Sequence, residues 1–68
     1  MRLKYLRKKR HLSQTRLAME LNISQNTVSR YETGSHEPDI KALIRIADYF
    51  NVSIDYLLER TDNPDILK

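Results

Sequence analysis

An all-α fold, a compact five-helix domain, is predicted by three observations. Apolar residues recur at helical spacing in separate stretches, most plainly at 17, 18 and 21 and at 40, 43, 44, 46, 47 and 50. Ser13, Ser24, Asp39 and Ser53 each stand directly before such a stretch, where a short oxygen-bearing side chain caps a helix. With 40% hydrophobic residues, a single Gly and no long apolar run, a helical bundle is the architecture that 68 residues fill most easily. Residues 1–60 are assigned to this one domain and 61–68 to a C-terminal tail, extended or dimer-associated.

The first helix is expected over residues 2–10, with Leu3 and Leu6 inward and Leu12 sealing the corner after His11. It carries six basic residues. Arg2, Lys4 and Lys8 read as a solvated face, with cations favourably placed towards a helix C-terminus. Lys9 and Arg10 fall close to the start of the second helix and are candidates for phosphate contact, with a solvated face as the alternative. The second helix spans 14–21, capped by Ser13, with Leu17, Ala18 and Leu21 inward. Asn22-Ile23 makes a tight turn, since Asn accepts a left-handed backbone better than most residues. Ser24 caps the third helix, which runs to about Thr33 and stops at Gly34.

Residues 35–39 form a loop in which Pro38 biases Glu37 to extended backbone and Asp39 caps the fourth helix, 40–50. The wide apolar stripe of that helix marks it as the most buried, lying under the others, with its Ile and Ala residues in the core. Asn51 takes the left-handed position after it, Val52 packs and Ser53 caps a fifth helix over 54–59, with Asp55 against its N-terminal dipole. The tail after Arg60 has no periodic pattern.

Two short helices joined by a tight turn form a helix-turn-helix, in which the second helix enters a groove of DNA. On the third helix Val28 and Tyr31 fall on one side, while Gln25, Asn26, Ser29 and Arg30 fall on the other. That outward set holds most of the vocabulary of major-groove readout. Gln and Asn bond adenine bidentately, Arg forks onto guanine, and Ser bonds either way. These four are the candidate base contacts; Arg30 reaches either a base or a phosphate, and Ser29 also serves simply by being small. Gln14, Ser24, Thr27 and Gly34 are assigned to phosphates, Gln14 because the N-terminus of the second helix offers unpaired amides to an anion.

The segment LSQTRLAMELNISQNTVSRYETG resembles the Cro and phage-repressor helix-turn-helix family. Five positions match in register: Gln14, the small Ala18 at the helix crossing, Asn22 where Gly is commoner, Val28, and Glu32 beside Thr33-Gly34. EPDIKALIRIADYFNVSIDYLL is similar to the family's fourth and fifth helices, so about 58 of the 68 residues are covered. The resemblance implies a lambda-repressor-like fold and a transcriptional regulator, a repressor, that binds double-stranded DNA as a homodimer on a pseudo-palindromic operator. It also implies that Gln14 clamps the DNA backbone and braces the first residue of the recognition helix. Arg7, one turn past Leu3 on the inward side, is expected to form a partly buried pair with Glu32. The family's counterpart of Thr27 often packs against the second helix. Where many relatives carry two basic residues this chain has Ser35 and His36, which weakens the grip of that loop on phosphate. The dimer surface is placed on Tyr56, Leu58, Ile66 and Leu67; in the alternative, Leu57 and Leu58 both pack within the monomer and dimers form only on DNA.

The net charge of +3 is unevenly spread. Residues 1–34 hold eight Lys/Arg against two acids and residues 35–68 four against seven, so one face suits a polyanion and the other does not. Catalysis is not expected: His11 and His36 sit in separate loops, Gly34 is the only glycine, and there is no cysteine and no metal-ligand spacing. No cofactor, metal, small-molecule ligand or membrane is called for, and the expected location is the cytoplasm. Two rival functions remain. An antitoxin or anti-repressor module would use Tyr49, Tyr56 and the tail for a protein partner, with DNA binding secondary. A non-specific nucleoid or RNA binder would show steep salt dependence and hardly any sequence preference.

Overall fold

A computed structural model describes residues 1–66. Five helices follow one another: α1 Leu3–Lys9, α2 Gln14–Leu21, α3 Gln25–Thr33, α4 Ile40–Phe50 and α5 Ile54–Leu57, with no strand among the described residues. Four of them start on a side-chain cap. Ser13, Ser24, Asp39 and Ser53 accept the backbone N–H of Arg16, Thr27, Ala42 and Tyr56 respectively, at 2.8–3.0 Å. Each such cap stabilises its helix by about 1 kcal/mol.

All five helices stop in the same way. A residue with positive φ follows the last turn: His11 (58°), Asn22 (56°), Gly34 (81°), Asn51 (56°) and Glu59 (64°). The next N–H then bonds a carbonyl five residues back, as from Leu12 to Arg7 (3.1 Å), Ile23 to Ala18 (3.0 Å) and Arg60 to Asp55 (2.8 Å). This closes each helix abruptly, so the next one can fold back against it. Two C-termini also receive a guanidinium from elsewhere. Arg10 donates to the carbonyls of Tyr49 and Phe50, both at 3.0 Å, and Arg45 donates to that of Leu21. Donors and positive charge both suit the carbonyl end of a helix.

The core joins Leu3 and Leu6 of α1, Leu17, Ala18 and Leu21 of α2, and Val28 and Tyr31 of α3 to Ile46, Ala47 and Phe50 of α4, with Val52 and Leu57 completing it. The expectation for α4 has to be corrected. Its buried stripe is Ile46, Ala47 and Phe50 with Leu43 half-buried, whereas Ile40 is 74% and Ile44 44% exposed. At about 100° per residue Ile44 stands roughly 110° from the centre of that stripe, and Ile40 lies in the first turn. The helix is a side wall of the bundle rather than its floor.

α5 is shorter than expected, ending at Leu57. The segment after it is tied down: Arg2 donates to the carbonyls of Tyr56 (2.9 Å) and Thr61 (3.0 Å) and to Asp62 (3.0 Å), and Ser53 N–H donates to Pro64 (3.0 Å). Arg2 therefore does more than solvate a helix face. Its guanidinium also lies 4.4 Å from the centre of the Tyr56 ring. Tyr56 is half-buried against the core. Leu58 and Ile66 stay 40% and 49% exposed; Leu67 lies outside the described residues. No helix among the described residues is long and apolar enough to cross a membrane.

Candidate nucleic-acid interface

The two capped, sharply terminated helices α2 and α3 pack on each other through Leu17, Ala18, Leu21 and Val28. That packing turns the opposite side of α3 to solvent. Gln25, Asn26 and Arg30 are exposed and Ser29 is half-buried. The four candidate base-reading residues thus share one accessible face, while Val28 is fully buried beneath them.

A line of hydrogen bonds runs from the interior to that face. Arg7, itself buried, meets Glu32 in a two-pronged contact, Nε to Oε2 at 2.6 Å and Nη2 to Oε1 at 3.1 Å. Its remaining arm donates to the Leu12 carbonyl at 2.8 Å, which fixes the corner between α1 and α2. Glu32 Oε1 also accepts the amide nitrogen of Gln14 at 3.0 Å, and Gln14 Oε1 in turn accepts that of Gln25 at 2.7 Å. The first turn of α3 is therefore held to the first turn of α2, and both to α1, by one ionised carboxylate.

Residues 3–57 match the helix-turn-helix family profile. The chain belongs to the helix-turn-helix family. The likeness to Cro and phage-repressor sequences is thereby borne out, as is the all-helical architecture. Among its relatives, the uncharacterized HTH-type transcriptional regulator YqaE of Bacillus subtilis is 41% identical over 66 residues, 97% of this chain and 57% of that protein. The HTH-type transcriptional regulator ImmR of the same organism is 39% identical over 61 residues, 90% of this chain and 48% of that protein. The ImmF control region 10 kDa protein of Bacillus phage phi105 is 39% identical over 51 residues, 75% of this chain and 57% of that protein. The chain thus spans about half the length of these relatives. No solved structure matches it significantly.

Within this helix-turn-helix the residues assigned to phosphates divide. Gln14 stands at the start of α2 and keeps one amide N–H beyond the bond to Glu32. The hydroxyls of Ser24 and Thr27 face each other at 2.7 Å, the first also capping α3. Gly34 is exposed, and a Cβ there would meet nothing within 4 Å. Its φ of +81° is the reason for glycine. Lys9 and Arg10 make other contacts. The Arg10 guanidinium is taken up by the end of α4 and lies over the Phe50 ring at 5.0 Å. Lys9 lies beside the Tyr5 ring, 5.8 Å from its centre, and lines a cleft with Phe50, Val52, Tyr56 and Pro64. Both side chains remain exposed, Arg10 with its guanidinium already hydrogen-bonded to two carbonyls. His36 is exposed and stacks on Tyr31, ring centres 5.7 Å apart.

Much of the basic charge of the first half is consequently engaged within the chain, at Arg2, Arg7, Arg10 and, through Glu20 at 3.3 Å, Arg16. Sequence reasoning missed the helix-capping roles of Arg10 and Arg45 and the clamp of Arg2. No local pattern signals them, because each reaches a carbonyl at least 24 residues away.

Burial raises the proton affinity of Glu32, but the hydrogen bonds from Arg7 and Gln14 and the charge of Arg7 outweigh it and hold the carboxyl below its ordinary value of 4.5. The hydrogen bond to Glu32 likewise holds Arg7 above its ordinary value, against the effect of burial. A carboxyl depressed in the folded state stabilises fully above its unfolded value and loses that contribution as pH falls through the folded one. The stability advantage of the wild type over Glu32→Gln should therefore be constant near neutrality and shrink below about pH 4.5. Thermal melts of both proteins from pH 7 to pH 3 check this; a gap that does not change with pH would contradict it.

Proposed function

We propose that this chain binds double-stranded DNA in a sequence-specific manner and regulates transcription, acting as a repressor that occupies its operator. In this reading α3 lies in the major groove, with Gln25, Asn26, Ser29 and Arg30 at base edges and Gln14, Ser24, Thr27 and Gly34 on phosphates. The observation that carries it is the exposed α3 face, whose first amide is braced through Gln14 to a buried ion pair. A solvated helix surface needs no such bracing, whereas a base-reading side chain gains from losing its rotamer freedom before binding. The names of the relatives, transcriptional regulators of bacteria and a phage control-region protein, support the same conclusion.

A single domain of this size reaches a half-site, so the proposal includes a homodimer on a pseudo-palindrome with half-site centres about 34 Å apart. Exposed Leu58 and Ile66, with Ile44 beside Ile66 in the same cleft, support an apolar dimer surface. Sedimentation of the free protein at micromolar concentration separates a standing dimer from one assembled on DNA.

The test of base reading is Gln25→Ala. It is expected to relax discrimination at one or two base pairs, by about 1–3 kcal/mol for a bidentate contact, while binding to random DNA changes little. An equal loss on operator and on random duplex would remove Gln25 from the reading set.

A further inference from the structure

A second concave site lies where α1, the end of α4 and the C-terminal segment meet. We propose that this cleft binds a small organic carboxylate with an aromatic or branched apolar body. The proposal does not depend on how the α3 face is used, since no lining residue belongs to α2 or α3. The cleft offers about 430 Å³, within the range of small-ligand sites. Its most buried lining is Leu6, Phe50 and Val52, joined by half-buried Tyr56 and by Pro64. Among the described residues, the charged ones that line it are Lys9 and Arg10, with no carboxylate.

The sign of the charge selects an anion. Two other clefts of comparable size are lined by acids, Asp48 and Asp55 in one and Glu37 in the other. Arg2, Arg7 and Arg16 each hold a carboxylate within 3.3 Å, whereas Lys9 and Arg10 pair with none among the described residues. Arg10 is held in place without being neutralised. Two of its five N–H groups bond the carbonyls of Tyr49 and Phe50, which leaves three to offer among the described residues. A helix end carries about half a unit of negative charge, so Arg10 stays a net cation. A donor fixed before binding also loses little rotamer freedom when an anion arrives. Lys9, beside the Tyr5 ring at 5.8 Å, adds a second charge on a flexible stem. The apolar lining selects the rest of the ligand. A bare phosphate, in solution or on DNA, would meet the two cations and leave Leu6, Phe50 and Val52 wet, whereas an apolar body displaces that water. A protein partner would need about 800 Å² on each side, so the concave, local site favours a compact molecule.

The experiment follows backbone amide chemical shifts of the full chain during titration with phenylacetate, its neutral amide phenylacetamide, acetate and inorganic phosphate. Phenylacetate is expected to shift the amides of Lys9, Arg10, Asn51, Val52 and Tyr56 saturably, with a dissociation constant of about 1–10 mM for a ligand of its size. The amides of α3 should stay where they are. Phenylacetamide should bind about threefold to fivefold more weakly, the range of an exposed ion pair. Acetate and phosphate should not saturate these amides. Lys9→Gln leaves the Arg10 contacts to α4 intact and should remove most of the difference between phenylacetate and phenylacetamide. Equal affinity for the two in the wild type, or an unchanged difference in Lys9→Gln, would overturn the proposal. So would phosphate saturating the same amides as tightly as phenylacetate, or shifts that spread over the surface without saturating. A DNA duplex that moves these amides while phenylacetate does not would overturn it too, and would give Lys9 and Arg10 to the phosphate backbone.

Discussion

Arg7→Ala is expected to lower the stability of the fold by about 3–5 kcal/mol, the range found when one partner of a buried pair is removed. A domain of this size has a total stability on the order of 3–10 kcal/mol, so the variant should be largely unfolded or melt far below the wild type. The cause is more than the lost attraction. Glu32 would remain buried with its charge unmatched, and the Leu12 carbonyl would lose its donor at the α1–α2 corner. Arg7→Lys is expected to recover only part of the loss, because an ammonium cannot make the two-pronged contact and reach Leu12 together. Circular dichroism melts of the three proteins check this. A melting temperature unchanged in Arg7→Ala would mean a pair worth less than about 1 kcal/mol, as at a wet surface.

The second large effect is expected at Leu57. The side chain is fully buried although it ends a helix of four residues, and its carbonyl accepts the Arg2 N–H at 2.8 Å. Leu57→Ala should cost about 2–5 kcal/mol, since the surrounding helices close only partly over the space left. Leu58→Ala, one residue on and 40% exposed, should cost well under half as much. Denaturant unfolding of both separates a fifth helix that belongs to the core from one that is merely appended. Equal losses would mean that the partition of these two leucines is wrong.

Most of the scaffold of the proposed site was legible in the sequence because its determinants are local. Ser13, Ser24, Asp39 and Ser53 each act within three residues, and Gly34, Asn22 and Asn51 favour the left-handed backbone they adopt. His11 adopts it too, and Glu59 does so against a cost of about 1–2 kcal/mol for an ordinary side chain, so nothing in the identity of Glu59 announced it. The inward set of α2 and α3 followed from spacing alone. α4 did not, because its apolar residues cover more of the helix than its neighbours do, and a pattern of residue types cannot say which edge stays uncovered. The Arg7–Glu32 pair was expected from the family resemblance together with helix register, not from charge. The fate of Arg2 and Arg10 was hidden for the opposite reason. Their partners are backbone carbonyls, which carry no sequence signature.

The central claim is that the exposed face of α3 reads bases while its buried side holds it against α2. The most direct test is selection of bound duplexes from a random DNA pool by the wild-type protein. The account predicts one enriched motif, two-fold symmetric, with half-sites about one helical turn apart and at least one position that loses its preference in Gln25→Ala. A pool that emerges with no preferred sequence would contradict it.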